Sequence, residues 1–245
     1  MSILRKLEYG SIIDSSMRMM KFTRIFFSVF LLFALAGCFE LIEDTTIHKD
    51  GSGEYNITLN LSASQTRLNS IMALDSIDGK KVPSSAEMKK EVLEFINRMN
   101  QNDGISNAQG SLSTEEWILK FSCSFDSLPA LKNALLQSSR KWNKDKKSES
   151  DFDHMKIEFV NNVYRRQISA NLDSKFKNEV QEDEDYGKLS EGKCVFIQRF
   201  DQNIKSVSSS KMRIAKNHKA SMLMISPIEI MNDPTILDYQ VILVP

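Results

Sequence analysis

The residues most able to do chemistry are few and scattered. Three histidines, His48, His154 and His218, stand far apart, and none lies at metal-ligand spacing from another histidine or from a cysteine. The sequence has no Gly-Xaa-Ser-Xaa-Gly elbow, no phosphate-cradling glycine loop and no His-Glu-Xaa-Xaa-His pair. The acidic run Glu182, Asp183, Glu184 and Asp185 could attract calcium. It lacks the Asp-Xaa-Asn/Asp-Xaa-Asn/Asp-Gly order of a calcium loop and reads as a solvated, mobile loop within residues 175–193. Arg140, Lys141, Lys144, Lys146 and Lys147 could meet anionic head groups. Glu149, Asp151 and Asp153 follow and offset them, so the cluster reads as the charged end of a helix. The expectation is therefore no catalytic residue, no cofactor-binding residue and no metal site. With 32 basic and 32 acidic residues, the balanced charge gives no reason to expect a nucleic-acid partner.

Cys38 is the residue with a defined chemical prospect. It ends the stretch Leu35-Ala36-Gly37-Cys38, which follows an apolar run from Ile25 to Ala34 preceded by Lys21 and Arg24. A basic segment, a short apolar core and small residues at a cleavage point form a secretory signal. The run falls well short of the ~20 residues that span a bilayer. With cysteine directly after Leu-Ala-Gly, the stretch resembles the lipobox of bacterial lipoproteins. The resemblance implies cleavage before Cys38, diacylglycerol on its thiol and an anchor of two or three acyl chains. Chains in that number hold a protein firmly at a membrane. Residues 20–37 are the expected signal peptide. Glu8 and Asp14 fit poorly ahead of it, so residues 1–19 are expected to be an extension from a start placed too early. Removing residues 1–37 takes away five basic and two acidic residues, which leaves the mature part slightly acidic.

Residues 38–245 are expected to form a single α+β domain, with a possible β-rich subregion at 194–245. His48-Lys49-Asp50-Gly51-Ser52-Gly53 is a hairpin turn between strands, and Tyr55 to Leu61 alternates apolar with polar residues. A helix capped by Ser62 or Ser64 carries Leu68, Ile71 and Met72. A stronger one opens on the capping box Ser84–Glu87 and carries Met88, Val92, Phe95, Ile96 and Met99. Two strands follow over 105–113 and 117–125. A helix then opens at Asp126-Ser127-Leu128-Pro129, and a strand pair turns at Asn161-Asn162, with Tyr164, Arg166 and Ile168 on one side of its second strand. From Tyr55 the order predicts a mainly antiparallel sheet with a ferredoxin-like βαββαβ core, extended by the N-terminal hairpin and by C-terminal strands over 194–200, 204–207, 220–225 and 236–244. Cys123 and Cys194 read as small buried residues. Export makes a disulfide between them permissible, and the sequence leaves pairing open.

The lipobox, the immediate hairpin with Asp50-Gly51-Ser52-Gly53, the α+β middle and the segment from Phe200 to Val207, with Met212 to Ile225 and a last strand, together resemble bacterial lipoproteins of the LppM-like type. That resemblance implies a cell-envelope protein without an assigned reaction, with lipid contact suggested for some members. It gives a role to no numbered position except Cys38. Three functions follow as alternatives. The first is a non-enzymatic interaction or structural module, held at the membrane with an envelope protein as partner. The second is a lipid- or amphiphile-binding module, with a cavity between helices and C-terminal strands lined by Met88, Phe95 and Trp117. The third is an enzyme, which needs a cleft with converging titratable groups. Phe39 rather than Asp follows Cys38, which under the enterobacterial sorting rule directs the lipoprotein, in a Gram-negative organism, to the outer membrane, facing the periplasm.

Overall fold

The computed structural model describes residues 39–77, 79–139, 155–168 and 189–245. The signal segment, Cys38, the basic cluster at 140–147 and the acidic run at 182–185 lie outside the described residues, as does His154.

The domain is α+β and its larger sheet is mainly antiparallel, as its alternating strands predict. Strands β1 (Glu40–Ile47) and β2 (Gly53–Asn60) form the expected hairpin. Its turn is fixed by Asp50, whose carboxylate accepts from the Ser52 backbone N–H at 3.0 Å and the Ser52 hydroxyl at 2.7 Å, while Gly51 takes φ +89°. Gly53 is required for a different reason. A Cβ there would lie 1.9 Å from the Thr46 carbonyl oxygen and 2.8 Å from the Phe125 ring.

A 3₁₀ turn (Ser62–Ser64) leads into α1 (Gln65–Met72). Neither Ser62 nor Ser64 caps it, since the Ser64 hydroxyl is buried and makes no hydrogen bond. A two-residue ladder, β3 (Ser76–Ile77) with β4 (Lys80–Lys81), comes next. Helix α2 (Ser85–Met99) opens on the predicted capping box. Ser84 Oγ accepts from the Glu87 N–H at 3.2 Å, and the Glu87 carboxylate accepts from the Ser84 N–H at 2.8 Å. Strands β5 (Ile105–Ser113) and β6 (Ile118–Phe125) are joined by a turn ending at Trp117, and α3 (Leu128–Ser139) follows, with Ser127 Oγ accepting from the Ala130 N–H.

The remaining elements are β7 (Lys156–Val160), β8 (Val163–Gln167), β9 (Lys193–Phe200), β10 (Ile204–Val207), β11 (Met212–Ile214), β12 (Ala220–Ile225), α4 (Pro227–Asn232) and β13 (Tyr239–Leu243). Helix α4 carries a second capping box, Ser226–Glu229. A seven-stranded sheet runs β11-β12-β9-β1-β2-β6-β5 and a four-stranded sheet runs β10-β13-β8-β7. The strands after residue 193 are thus divided between both sheets.

The ferredoxin-like order is realised with one substitution. Strand β2, helix α2 and strand β5 form a split βαβ unit, with β6 antiparallel between the two strands. In the predicted motif the strand after α3 pairs on the far side of β2. That edge is already occupied by β1 of the hairpin, so β7 is excluded from it and joins β8 in the second sheet. Strand β1 also pairs in parallel with β9, register Glu40↔Lys193 to Ile47↔Phe200.

The two faces of the large sheet differ. Leu41, Glu43, Thr45, Ile47, Tyr55, Phe121, Cys123, Phe125, Cys194, Phe196, Gln198 and Phe200 alternate onto one face by register. On its β5–β6 side that face takes α2 and α3, as in the edge-to-face contact of Phe95 with Phe121 at 5.1 Å. On its β1–β9 side it takes the second sheet, through Tyr164 against Phe200 at 6.0 Å.

Candidate functional site

Three places gather polar chemistry: a buried ion pair between the sheets, a histidine at the hairpin turn, and the start of β1.

The ion pair arises from strand alternation. Glu43 points inward with Leu41 and Thr45, and Arg166 points inward with Tyr164. Arg166 Nη1 donates to Glu43 Oε1 at 2.5 Å and Nη2 to Oε2 at 3.3 Å. The guanidinium lies 4.6 Å from the centre of the Phe196 ring and 5.9 Å from that of Tyr239. Arg166 is 4% exposed and Glu43 15%. Burial works against the arginine's charge. The Glu43 carboxylate outweighs it, so the guanidinium stays well above its ordinary pKa. Burial also raises Tyr55 and Tyr164 well above the usual phenol value and pushes Tyr239 up to about 12. The Tyr239 hydroxyl faces Arg166 and Gln198 without a well-formed hydrogen bond. The three phenols are thus moved further above neutral pH, and the centre is largely buried between the sheets. It clamps the two sheets together, Glu43 from β1 and Arg166 from β8.

His48 closes the hairpin and is 39% exposed. Its Nδ1 lies 3.2 Å from Asp201 Oδ2 and its Nε2 lies 3.5 Å from Glu54 Oε1. The little burial it has lowers its pKa, and the bonds and charges of Asp201 and Glu54 outweigh that, so its pKa is raised. No nucleophile is bonded to it. His218 is remote from chemistry too: it sits in an exposed turn at φ +56°, and its carbonyl accepts from the Ile204 N–H.

Cys123 and Cys194 are both free and buried, as expected of small core residues. They share the inner face but lie on β6 and β9, with β1 and β2 between them. Three strand spacings of ~4.8 Å put them beyond the reach of a disulfide. Burial pushes the Cys123 thiol up to about 12 and that of Cys194 up to about 11, so neither is a poised nucleophile. Among the described residues no group of three or more His, Cys, Asp or Glu side chains could hold a metal.

Met88, Phe95 and Trp117 do not line one cavity. Phe95 packs on the main core, whereas Trp117 and Met88 form a satellite cluster with Leu68, Leu61 and Met72. The Trp117 indole N–H donates to Asn69 Oδ1 at 2.8 Å. A shallow cleft of about 500 Å³ lies beside that cluster, lined by Met72, Leu74, Val82, Pro83 and the Lys81–Glu87 ion pair. Asp75 and Ser84 complete its lining.

The start of β1 is the place that bears on the predicted role of Cys38. Phe39 is buried, its carbonyl accepts from the Lys193 N–H at 2.8 Å, and its ring packs so close to Gly192 that a Cβ there would lie 2.7 Å away. Glu40 then begins the middle strand of the seven-stranded sheet. Whatever is attached at Cys38 is joined to the centre of the domain with no intervening tether. Among the described residues no helix is long and apolar enough to cross a membrane.

No family model matches the chain, and no curated protein matches it. Among solved structures the chain is similar to the folded domain of the LppM protein of Mycobacterium tuberculosis, determined by NMR. The identity is 9%, the match covers 85% of this chain and 92% of that one, and the TM-score is 0.37. A likeness at that score supports no conclusion on fold or function.

Sequence reasoning placed Arg166 on the same side of its strand as Tyr164 but missed its partner, because Glu43 lies 123 residues away. The available signal was a charged residue in phase with apolar ones on each strand: Glu43 with Leu41 and Ile47, Arg166 with Tyr164.

Proposed function

We propose that the chain is a lipid-anchored lipoprotein of a bacterial cell envelope, and that its domain is a non-enzymatic interaction or structural module held against the membrane. The observation that carries the reading is the direct passage from Cys38 through buried Phe39 into the central strand β1. A lipid on Cys38 would then hold a whole folded domain at the bilayer surface rather than a domain on a flexible leash. The lipobox Leu35-Ala36-Gly37-Cys38 supports the modification itself. The polar groups described fit a binding or scaffolding role: Arg166 is buried and paired with Glu43 between the sheets, and the exposed His48 lies between the carboxylates of Asp201 and Glu54. Outer-membrane placement facing the periplasm rests on Phe39 following Cys38. The test is fractionation of the native host. The wild-type chain is expected in the membrane pellet, resistant to high salt and released by detergent. Cys38→Ser is expected to stay uncleaved or to leave the pellet. A Cys38→Ser chain that is processed and anchored like wild type would sink the proposal.

A further inference from the structure

The second face of the seven-stranded sheet is the one that neither α2, α3 nor the second sheet covers, since all three pack on the face of Glu43 and Phe121. By register, Met224 stands opposite Val195 and Val195 opposite Ile42, across β12, β9 and β1. In the next row Met222 stands opposite Ile197. These five residues form a continuous apolar patch on three adjacent strands, on the side where polar residues are expected of a solvated sheet face. None belongs to either core cluster: Met224 is 52% exposed, Ile42, Ile197 and Met222 are half-buried, and Val195, in the middle strand of the three, is buried among them.

Two further observations say what covers it. The first is distance along the chain. Ile42 is four residues after Cys38, and β1 is extended from Glu40. At ~3.3 Å per residue, a lipid on Cys38 lies within roughly 13 Å of the patch. The second is charge. The acid next to the patch, Asp44, stands opposite Ile197, and Arg199 neutralises it, with Nε 2.9 Å from Oδ1 and Nη2 2.8 Å from Oδ2. The row at the Cys38 end pairs Glu40 with Lys193 in register. The two carboxylates that border the patch thus each stand beside a cation, Asp44 bonded to Arg199 and Glu40 opposite Lys193, and the apolar rows between them can settle at the head-group boundary, where flexible methionines pack on irregular acyl surface.

We infer that this second face of the large sheet, with Met224, Met222, Ile197 and Ile42 around Val195, docks on the bilayer that holds the anchor. The inference rests on lipidation of Cys38. The lipid would supply attachment, and the patch would fix the orientation, with the second sheet turned away from the membrane as the surface offered to partners.

The experiment uses the lipidated full chain, purified in detergent and reconstituted into vesicles of phosphatidylethanolamine and phosphatidylglycerol. Met224→Cys, Met222→Cys and, on the second sheet, Lys156→Cys are each labelled with an environment-sensitive fluorophore. The native thiols Cys123 and Cys194 are buried and do not compete. Fatty acid on Cys38 is measured separately by mass. The expected result is a blue shift and loss of quenching by aqueous iodide at 224 and 222 in vesicles relative to detergent, with 156 unchanged. Two labels at 224 and 222 guard against one variant failing to fold. Full quenching at both positions on a chain whose Cys38 carries lipid overturns the docking and leaves the anchor intact. Absence of lipid on Cys38 overturns both. Protection at 224 that persists in detergent and scales with protein concentration means that a second copy covers the face, which also overturns the docking.

Discussion

Removing the arginine of the buried ion pair should cost a large share of the domain's stability. In Arg166→Met the side chain keeps its length and apolar stem, so packing against Phe196 is largely retained. What changes is Glu43. It is 15% exposed, and its two oxygens both face Arg166 and lose their charged donors. Breaking a buried pair from one side costs ~3–5 kcal/mol, because a desolvated charge is left behind. A Coulomb estimate agrees: unit charges about 4 Å apart at an effective dielectric of ~20 interact by ~4 kcal/mol. For a domain of this size each kcal/mol moves the melting temperature by ~2–4 °C, so a fall of roughly 6–20 °C is expected. The assay is urea unfolding of Arg166→Met, Glu43→Leu and the double variant, each in a lipid-free Cys38→Ser background. The double variant replaces the pair with apolar side chains and should recover most of the loss, since such exchanges are close to neutral. A loss below ~1 kcal/mol in Arg166→Met, the size of a surface pair, would refute the assignment of a clamp between the sheets. So would a double variant no more stable than the single one.

Gly53→Ala drives a methyl into the Thr46 carbonyl and should destabilise by ~1–3 kcal/mol or more, read as a lower urea midpoint, with Gly51→Ala failing for backbone rather than contact reasons. His48 has a raised folded pKa, so its contribution is fully present below its ordinary 6.5 and is lost as pH rises through the folded value. The urea midpoint of the wild type should therefore drop more between about pH 6 and pH 8 than that of His48→Gln. Equal slopes would show that Asp201 and Glu54 do not hold the proton. Cys123 and Cys194 should resist a thiol reagent in the native state and both react after unfolding. Early reaction of either would contradict their burial.

Local signals carried much of the fold. Asp50-Gly51 marked the hairpin, the capping box Ser84–Glu87 marked the start of α2, and strict alternation from Leu119 to Phe125 marked β6. Alternation even placed Arg166 on the same side as Tyr164, which the structure turns inward. Pairings between distant strands were not legible. The parallel register of β1 with β9 joins segments about 150 residues apart, and no local pattern distinguishes it from other partners for an apolar strand. The diversion of β7 into a second sheet follows from a steric fact, occupation of the β2 edge by β1, that appears only when the hairpin and the split βαβ unit are built together. The three residues of β11 are too few to show a period. The candidate site divides in the same way. The lipobox cysteine is a contiguous motif, readable at once, whereas the Glu43–Arg166 clamp and the apolar patch on β12, β9 and β1 exist only through register.

The central claim, that Cys38 becomes the lipidated first residue of a membrane-held domain, is tested most directly by mass spectrometry of the N-terminal peptide of the chain purified from its native membranes. The account predicts a peptide beginning at Cys38 with its mass raised by diacylglycerol and an amide-linked acyl chain, or by diacylglycerol alone. A peptide that still carries residues 20–37, or one that begins at Cys38 without lipid, would contradict it.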